Sequence, residues 1–309
     1  MNLCLSIRAL ALLIVITAFG YTAKAQNLPN TQSMAVMAPA NVLIDGKAKE
    51  WGTSYQAYNK AIEVFYTIAN DKDNLYLVIH ADKVRIIEKI IEAGIEFKVT
   101  ETANKGAKNI FSVLFPLLPL NVAKTTLVAA GKPVSGLTFA DKSEMTSGSN
   151  YTTEALRQEA KENSQLTVFD KPNKLLHSNL KVIKVLGASS IVDTVPGITD
   201  TTKYYNTLPL RRHHFKIIPL INQDDIMAMV QFDNKGELTY ELNIPLKYLN
   251  TSKGNSKLYY HITIHGRGEG GRIGNTITVS RLPNGRAVGD NQDLESPTDF
   301  SGEYTLYGN

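Results

Sequence analysis

The chain has 309 residues, with 33 Lys and Arg against 29 Asp and Glu, a net charge of +4 and a single cysteine, Cys4. So small and scattered a basic excess gives no concentrated positive face, so no nucleic-acid partner is expected. One cysteine leaves no basis for an internal disulfide or a cysteine-ligated metal centre.

The amino terminus reads as an export signal. Arg8 is the positive flank, Ala9 to Phe19 the apolar run, and Ala23 and Ala25 the small residues before a cleavage after Ala25. That run covers only about half of a hydrocarbon layer of roughly 30 Å at helical rise, too little for an anchor. Residues 1–25 therefore read as a bacterial signal peptide, which takes Cys4, Arg8 and Lys24 with it. A mature chain without a transmembrane segment is expected, since Ile110 to Leu120 is short and broken by Pro116 and Pro119. Its expected destination is the periplasm, the outer-membrane surface or the medium.

Residues 26–40 are small and polar, with Pro29 and Pro39, and read as a flexible leader. Val42-Leu43-Ile44 is followed by the turn pair Asp45-Gly46 and by Glu50-Trp51-Gly52. Ala61 to Ala69 and Leu75 to Ala81 are rich in β-branched and aromatic residues and flank Asn70-Asp71-Lys72-Asp73-Asn74, which predicts a hairpin. Leu75, Leu77 and Ile79 share one face of the second strand while Tyr76, Val78 and His80 share the other. Both faces are apolar enough to be covered, as in a sandwich.

From Val84 to Ala93 the period becomes helical, with Val84, Ile87, Ile90 and Ile91 on one side and Lys83, Arg85, Glu88, Lys89 and Glu92 between them; Gly94 is the stop. Strands resume at Ile95 to Thr100 and Ile110 to Phe115. Patterning then weakens from Pro116 to about Leu166, where only Thr153 to Asn163 has helix-forming composition. Further strands are predicted at Leu180 to Leu186, Lys216 to Ile221, Ile226 to Phe232, Leu238 to Ile244, Leu258 to Ile264, Thr276 to Val279 and Tyr304 to Leu306. Asp233-Asn234-Lys235-Gly236 is a turn, and a short turn or helix follows Pro245. Short strands, frequent turns and no fixed repeat predict a mainly β fold. We expect one jelly-roll-like β-sandwich over 41–309, with a short amphipathic helix and a partly helical insertion at about 116–176.

Two segments carry a family resemblance. Ile44-Asp45-Gly46-Lys47-Ala48-Lys49-Glu50-Trp51, followed by Ile68 to Leu77, resembles the opening of the family-9-type carbohydrate-binding modules. Leu238-Thr239-Tyr240-Glu241-Leu242-Asn243-Ile244-Pro245-Leu246 is similar to that family's closing strand and turn. The likeness is greatest to an exported group common in Bacteroidetes-like bacteria, and Pro116 to Leu176 has no counterpart. The resemblance implies a β-sandwich that binds sugar, often beside a structural calcium. Family members hold the sugar between tryptophan rings, whereas Trp51 is the only tryptophan here and its expected role is core packing.

Sugar recognition needs aromatic faces with polar groups to bond the hydroxyls, which points to Tyr55 and Tyr58 after Trp51, and to Tyr204 and Tyr205 before Arg211 and Arg212. Ordinary packing is the competing reading of these tyrosines. For calcium, Asp71 and Asp73 with Asp45 are the candidate ligands, although Asx residues in a tight turn need no metal. Gly266 to Gly271 fits G-x-G-x-x-G, but a β pattern follows where a dinucleotide site needs a helix; Arg267 there is expected to be solvated. His261 and His265 are about 13 Å apart along a strand and cannot share an ion. Glu241 has no partner acid and is expected to face solvent or to bond within the sandwich. No G-x-S-x-G elbow occurs. The expectation is therefore a non-catalytic exported protein binding a polysaccharide or other envelope component. The alternatives are a structural or interaction protein and, after it, a glycoside-active enzyme.

Overall fold

A computed structural model describes residues 28–52, 54–103, 110–132, 134, 169–187, 215–249, 256–267, 280–281, 287–288 and 292–308. The export signal, the helix expected at 153–163 and the strand expected at 276–279 lie outside these residues.

The protein is mainly β, a sandwich of two antiparallel sheets. The strands are β1 (Ala57–Asn59), β2 (Val64–Asn70), β3 (Asn74–Ala81), β4 (Ile95–Thr100), β5 (Ile110–Phe115), β6 (Val182–Leu186), β7 (Lys216–Pro219), β8 (Met227–Phe232), β9 (Leu238–Pro245), β10 (Lys257–Ile264), β11 (Ser280–Arg281), β12 (Ala287–Val288) and β13 (Thr298–Thr305). One sheet has the order β1-β2-β3-β9-β8 and the other β13-β10-β4-β5-β6-β7; β11 and β12 pair with each other. Among the described residues, no helix is long and apolar enough to cross a membrane.

Alternation builds the interior. Tyr66, Ile68, Leu77, Ile79, Tyr240 and Leu242 point inward from the five-stranded sheet and meet Phe97, Val113, Phe115, Ile183, Tyr260 and Ile262 from the other. Near one side the sheets are also joined by a hydrogen bond between the hydroxyls of Tyr66 and Tyr260 at 2.9 Å.

Helix α1 (Val84–Ala93) carries the chain from β3 to β4 and buries Ile86, Ile87, Ile90 and Ile91 in the same core. Its charged side departs from the sequence expectation, because Glu88, Lys89 and Glu92 are buried as well. Arg267 covers Glu88 and Glu92, and the Lys89 ammonium donates to the Thr298 hydroxyl at 3.1 Å. Helices α2 (Leu120–Ala129) and α3 (Asp170–Asn179) pack on each other, α2 also on α1, and α3 on β8. A short helix, α4 (Gln292–Glu295), precedes β13.

The polar stretch read as a loose leader is held against the sandwich from residue 28 onward. The side-chain amide of Gln32 accepts from the Ile68 N–H and donates to the Ile68 carbonyl, both at 2.7 Å. Backbone groups of Val36 and Ala38 then bond both backbone groups of Asn70. At the other edge of the same sheet the Asn173 amide does to Phe232 what Gln32 does to Ile68, at 2.9 and 2.8 Å. Composition suggested flexibility because the polar side chains look solvated, whereas they serve the exposed backbone of a strand.

Candidate functional site

Register lays the outward side chains of the five-stranded sheet in rows. Tyr58, Phe65, His80, Thr239 and Gln231 form one row across all five strands. Thr67, Val78, Glu241 and Met229 form the next, and Ala69, Tyr76, Asn243 and Met227 the third.

The segment from Val42 to Trp51 docks over the middle of this face through Glu241. That side chain is fully buried. One carboxylate oxygen accepts the N–H of Gly46 at 2.7 Å and of Asp45 at 3.2 Å, while the other accepts the Trp51 indole N–H at 3.2 Å. Gly46 has φ +82°, and a Cβ there would lie 2.8 Å from the Gln231 Cβ, so the turn can sit this close only as glycine. Burial pushes the Glu241 carboxyl up to about 7, aided by the charges of Asp45 and Glu50 and opposed by the N–H groups of Gly46 and Ala48. The Trp51 ring meets Tyr76 edge-on at 5.7 Å, within a second small core that includes Val36, Ala38, Val42 and Ile44. Both sequence expectations hold here: Glu241 bonds within the protein and Trp51 packs.

Beside the docked segment stands a shelf of four partly exposed rings. Tyr55 stacks on His80 with centroids 5.5 Å apart and planes 15° from parallel, and lies 5.9 Å from Phe65; Tyr58 lies 4.7 Å from Phe65 on its other side. The His80 Nε2 is 3.1 Å from a Glu237 carboxylate oxygen. At the far end of the row the Gln231 side-chain oxygen has no hydrogen-bond partner among the described residues. Burial pushes the Tyr55 hydroxyl up to about 12, with Glu241, Asp233 and Glu237 contributing.

Thus Tyr55 and Tyr58 come together, around Phe65 and His80. Sequence reasoning had not named those two as ligand residues because a sandwich pattern assigned their face to packing. Tyr204, Tyr205, Arg211 and Arg212 lie outside the described residues.

At the other end of the face is a cleft of about 540 Å³. Tyr76 and Asn243 belong to its floor and Val42, Ile44, Met227 and Leu246 to its apolar lining. Lys72, Asp73, Asp225 and Lys247 supply its charges.

Two of the three carboxylates expected for calcium, Asp71 and Asp45, are hydrogen-bonded within their own turns. Asp71 accepts from the N–H groups of Asp73 and Asn74 at 2.8 and 2.7 Å and from the Tyr76 hydroxyl at 2.8 Å, as an Asx turn does. Asp45 accepts from the N–H and the ammonium of Lys47. Asp73 is exposed, 3.6 Å from the Lys72 ammonium. Among the described residues, no three His, Cys, Asp or Glu side chains converge in a metal-binding group.

The outer face of the six-stranded sheet holds a second polar set. His261 contacts the Ser301 hydroxyl through Nδ1 at 2.7 Å and Asp299 through Nε2 at 2.8 Å. The three residue types are those of a hydrolytic triad, yet His261 and Asp299 stand on adjacent strands of an open surface, with the Asp299 side chain 55% exposed. A triad needs its acid buried and an oxyanion site beside the nucleophile, so cross-strand pairing is the better account. His265 turns to Glu96 instead, at 3.1 Å, so the two histidines are separately used.

Lys184, 1% exposed, has an ammonium with no hydrogen-bond partner among the described residues, 4.3 Å from the centre of the Phe215 ring. Arg267, expected in solvent, is buried with its guanidinium on Glu88 at 2.8 Å and on Glu92. The glycines around it hid this role, since nothing in the local pattern points to a helix more than 170 residues away.

Comparison with protein-family models, with curated proteins and with solved structures returned no match in any of the three.

Proposed function

We propose that this is an exported, non-catalytic binding protein of a bacterial envelope that takes a polysaccharide or another envelope component on the aromatic shelf. The observation that carries the reading is the register of Tyr58, Phe65 and His80 on three adjacent strands, with Tyr55 stacked over His80. At the usual spacing of strands those three rings run about 10 Å, enough for two sugar units lying flat. Glu237 and His80 supply the hydrogen-bonding groups that a sugar's hydroxyls require beside an apolar platform.

The likeness to the family-9-type modules supports the same reading in a particular way. The segment Ile44 to Trp51 and Glu241, which carry that likeness, build the support next to the shelf. Trp51 is committed to the small core, so tyrosine takes the stacking role that tryptophan has in the family. Calorimetry with oligosaccharides of cellulose, xylan, chitin and peptidoglycan glycan strands tests the proposal. At least one series should bind, and Tyr58→Ala should weaken it about ten-fold, the worth of one ring contact. No binding across the set, or binding that Tyr58→Ala and Tyr55→Ala both leave unchanged, would overturn it. Export is tested separately, by finding Gln26 as the first residue of the protein recovered outside the cytoplasm.

A further inference from the structure

The cleft at the opposite end of the sheet face is chemically unlike the shelf. Its size, about 540 Å³, lies within the range of small-molecule sites. Its floor holds Asn243, 2% exposed, whose amide orientation is fixed because the nitrogen donates to the Asp225 carbonyl at 2.8 Å. The Asn243 side-chain oxygen is left buried with no donor among the described residues. A buried acceptor in a cleft invites a ligand that brings a hydrogen-bond donor.

The charges narrow the class. Lys72 and Asp73 face each other at 3.6 Å and cancel. Asp225, exposed and held at φ +58° just before β8, has no ion pair among the described residues. Lys247, in the turn after β9, has its ammonium 5.0 Å from the Tyr248 ring centre and likewise no carboxylate partner among them. Asp225 and Lys247 both line the cleft, Asp225 just before β8 and Lys247 just after β9, the strand that pairs with it. The cleft therefore offers one charge of each sign with no ion pair among the described residues, a buried acceptor, and an apolar wall of Val42, Ile44, Met227 and Leu246.

We propose that this cleft is a second binding site, for a small zwitterion with an aliphatic side chain: a free amino acid or a short peptide. Asp225 and the Asn243 oxygen receive the ligand's ammonium, Lys247 its carboxylate, and the apolar wall its side chain. A neutral sugar would leave both charges unanswered, and a simple anion or cation would leave one.

Calorimetric titration of the full chain with glycyl-leucine tests this, with N-acetyl-glycyl-leucine and glycyl-leucine amide as the singly charged controls. Glycyl-leucine should bind, and blocking either terminus should weaken binding at least ten-fold. Asp225→Asn, which the left-handed backbone accepts, and Lys247→Gln should each do the same, while binding of oligosaccharide at the shelf stays as it was. No heat and no thermal stabilisation with millimolar glycyl-leucine overturns the proposal, as does equal binding of the blocked peptides or indifference to both substitutions. Since the shelf is probed with different ligands and different variants, either site can fail without the other.

Discussion

The Glu241 carboxylate accepts the backbone N–H of Gly46 at 2.7 Å, joining a turn near the start of the described chain to a strand 195 residues later. This contact fixes the docked segment whose residues Val42 and Ile44 line the cleft and whose far end leads to Tyr55.

Gly46→Ala should therefore do more than strain one turn. The new methyl would meet the Gln231 Cβ at 2.8 Å and the Met229 Cγ at 3.1 Å, on a backbone with φ +82°. A loss of more than about 1 kcal/mol is expected in urea denaturation. Ligand binding at the cleft should weaken with it, because the wall moves.

The raised pKa of Glu241 makes stability depend on pH in a direction opposite to that of an ion-paired acid. An unfolded glutamate ionises near 4.5 and the folded one near 7, so between those values the native state holds the extra proton. Stability is greatest below about pH 4.5 as far as this group is concerned, and falls as pH rises to about 7, by about 3 kcal/mol at most. Denaturation midpoints across that window should show the slope in the native protein. Glu241→Gln should flatten it while costing about 1–3 kcal/mol, because an amide cannot accept from both Trp51 and Gly46.

Lys184→Met is expected to stabilise the protein. The lysine amine is buried without a hydrogen-bond partner among the described residues, and burial lowers its pKa, partly offset by Glu96. A lowered folded pKa means that the native protein gains stability as pH rises through that value toward 10.5, and the variant should lack this gain. A thioether of similar length keeps the packing and removes the desolvated charge, for roughly 1 kcal/mol or more in thermal or chemical unfolding.

Arg267→Met tests the buried cluster. Without the guanidinium the carboxylate of Glu92, which is fully buried and already pushed upward in pKa by burial, loses its cation. The expected cost is about 3–5 kcal/mol at neutral pH. Adding Glu92→Gln should recover part of it, which a purely steric role for Arg267 does not predict.

What was legible in the sequence follows the range of the forces involved. The β2–β3 hairpin, α1, β4 and β5 were read with nearly their observed bounds, because alternation, period and turn residues are local signals. Helix α2 escaped because Val122, Thr125, Thr126 and Val128 are poor helix formers; it is held by burying Ala123 and Leu127 against its neighbours. Helix α3 has Pro172 in its first turn, where the missing N–H costs nothing, and mostly polar residues besides Leu176. Trp51 and Glu241 could be named one by one, but their union could not, since it joins residues 190 positions apart. Tyr55 and Tyr58 were found as residue types. The shelf itself needed register, which turned Phe65 and His80 toward them.

The amides of Gln32 and Asn173 bear on how any partner can approach. A sheet normally advertises itself through the unpaired peptide groups of its border strands, which another chain can join simply by lying alongside. Here a side chain has answered the N–H and C=O of Ile68 on one border and of Phe232 on the other, as a neighbouring strand would, at the small expense of one residue each. At those positions growth of the sheet by templating is blocked, and the sandwich is left to meet other molecules through its broad surfaces.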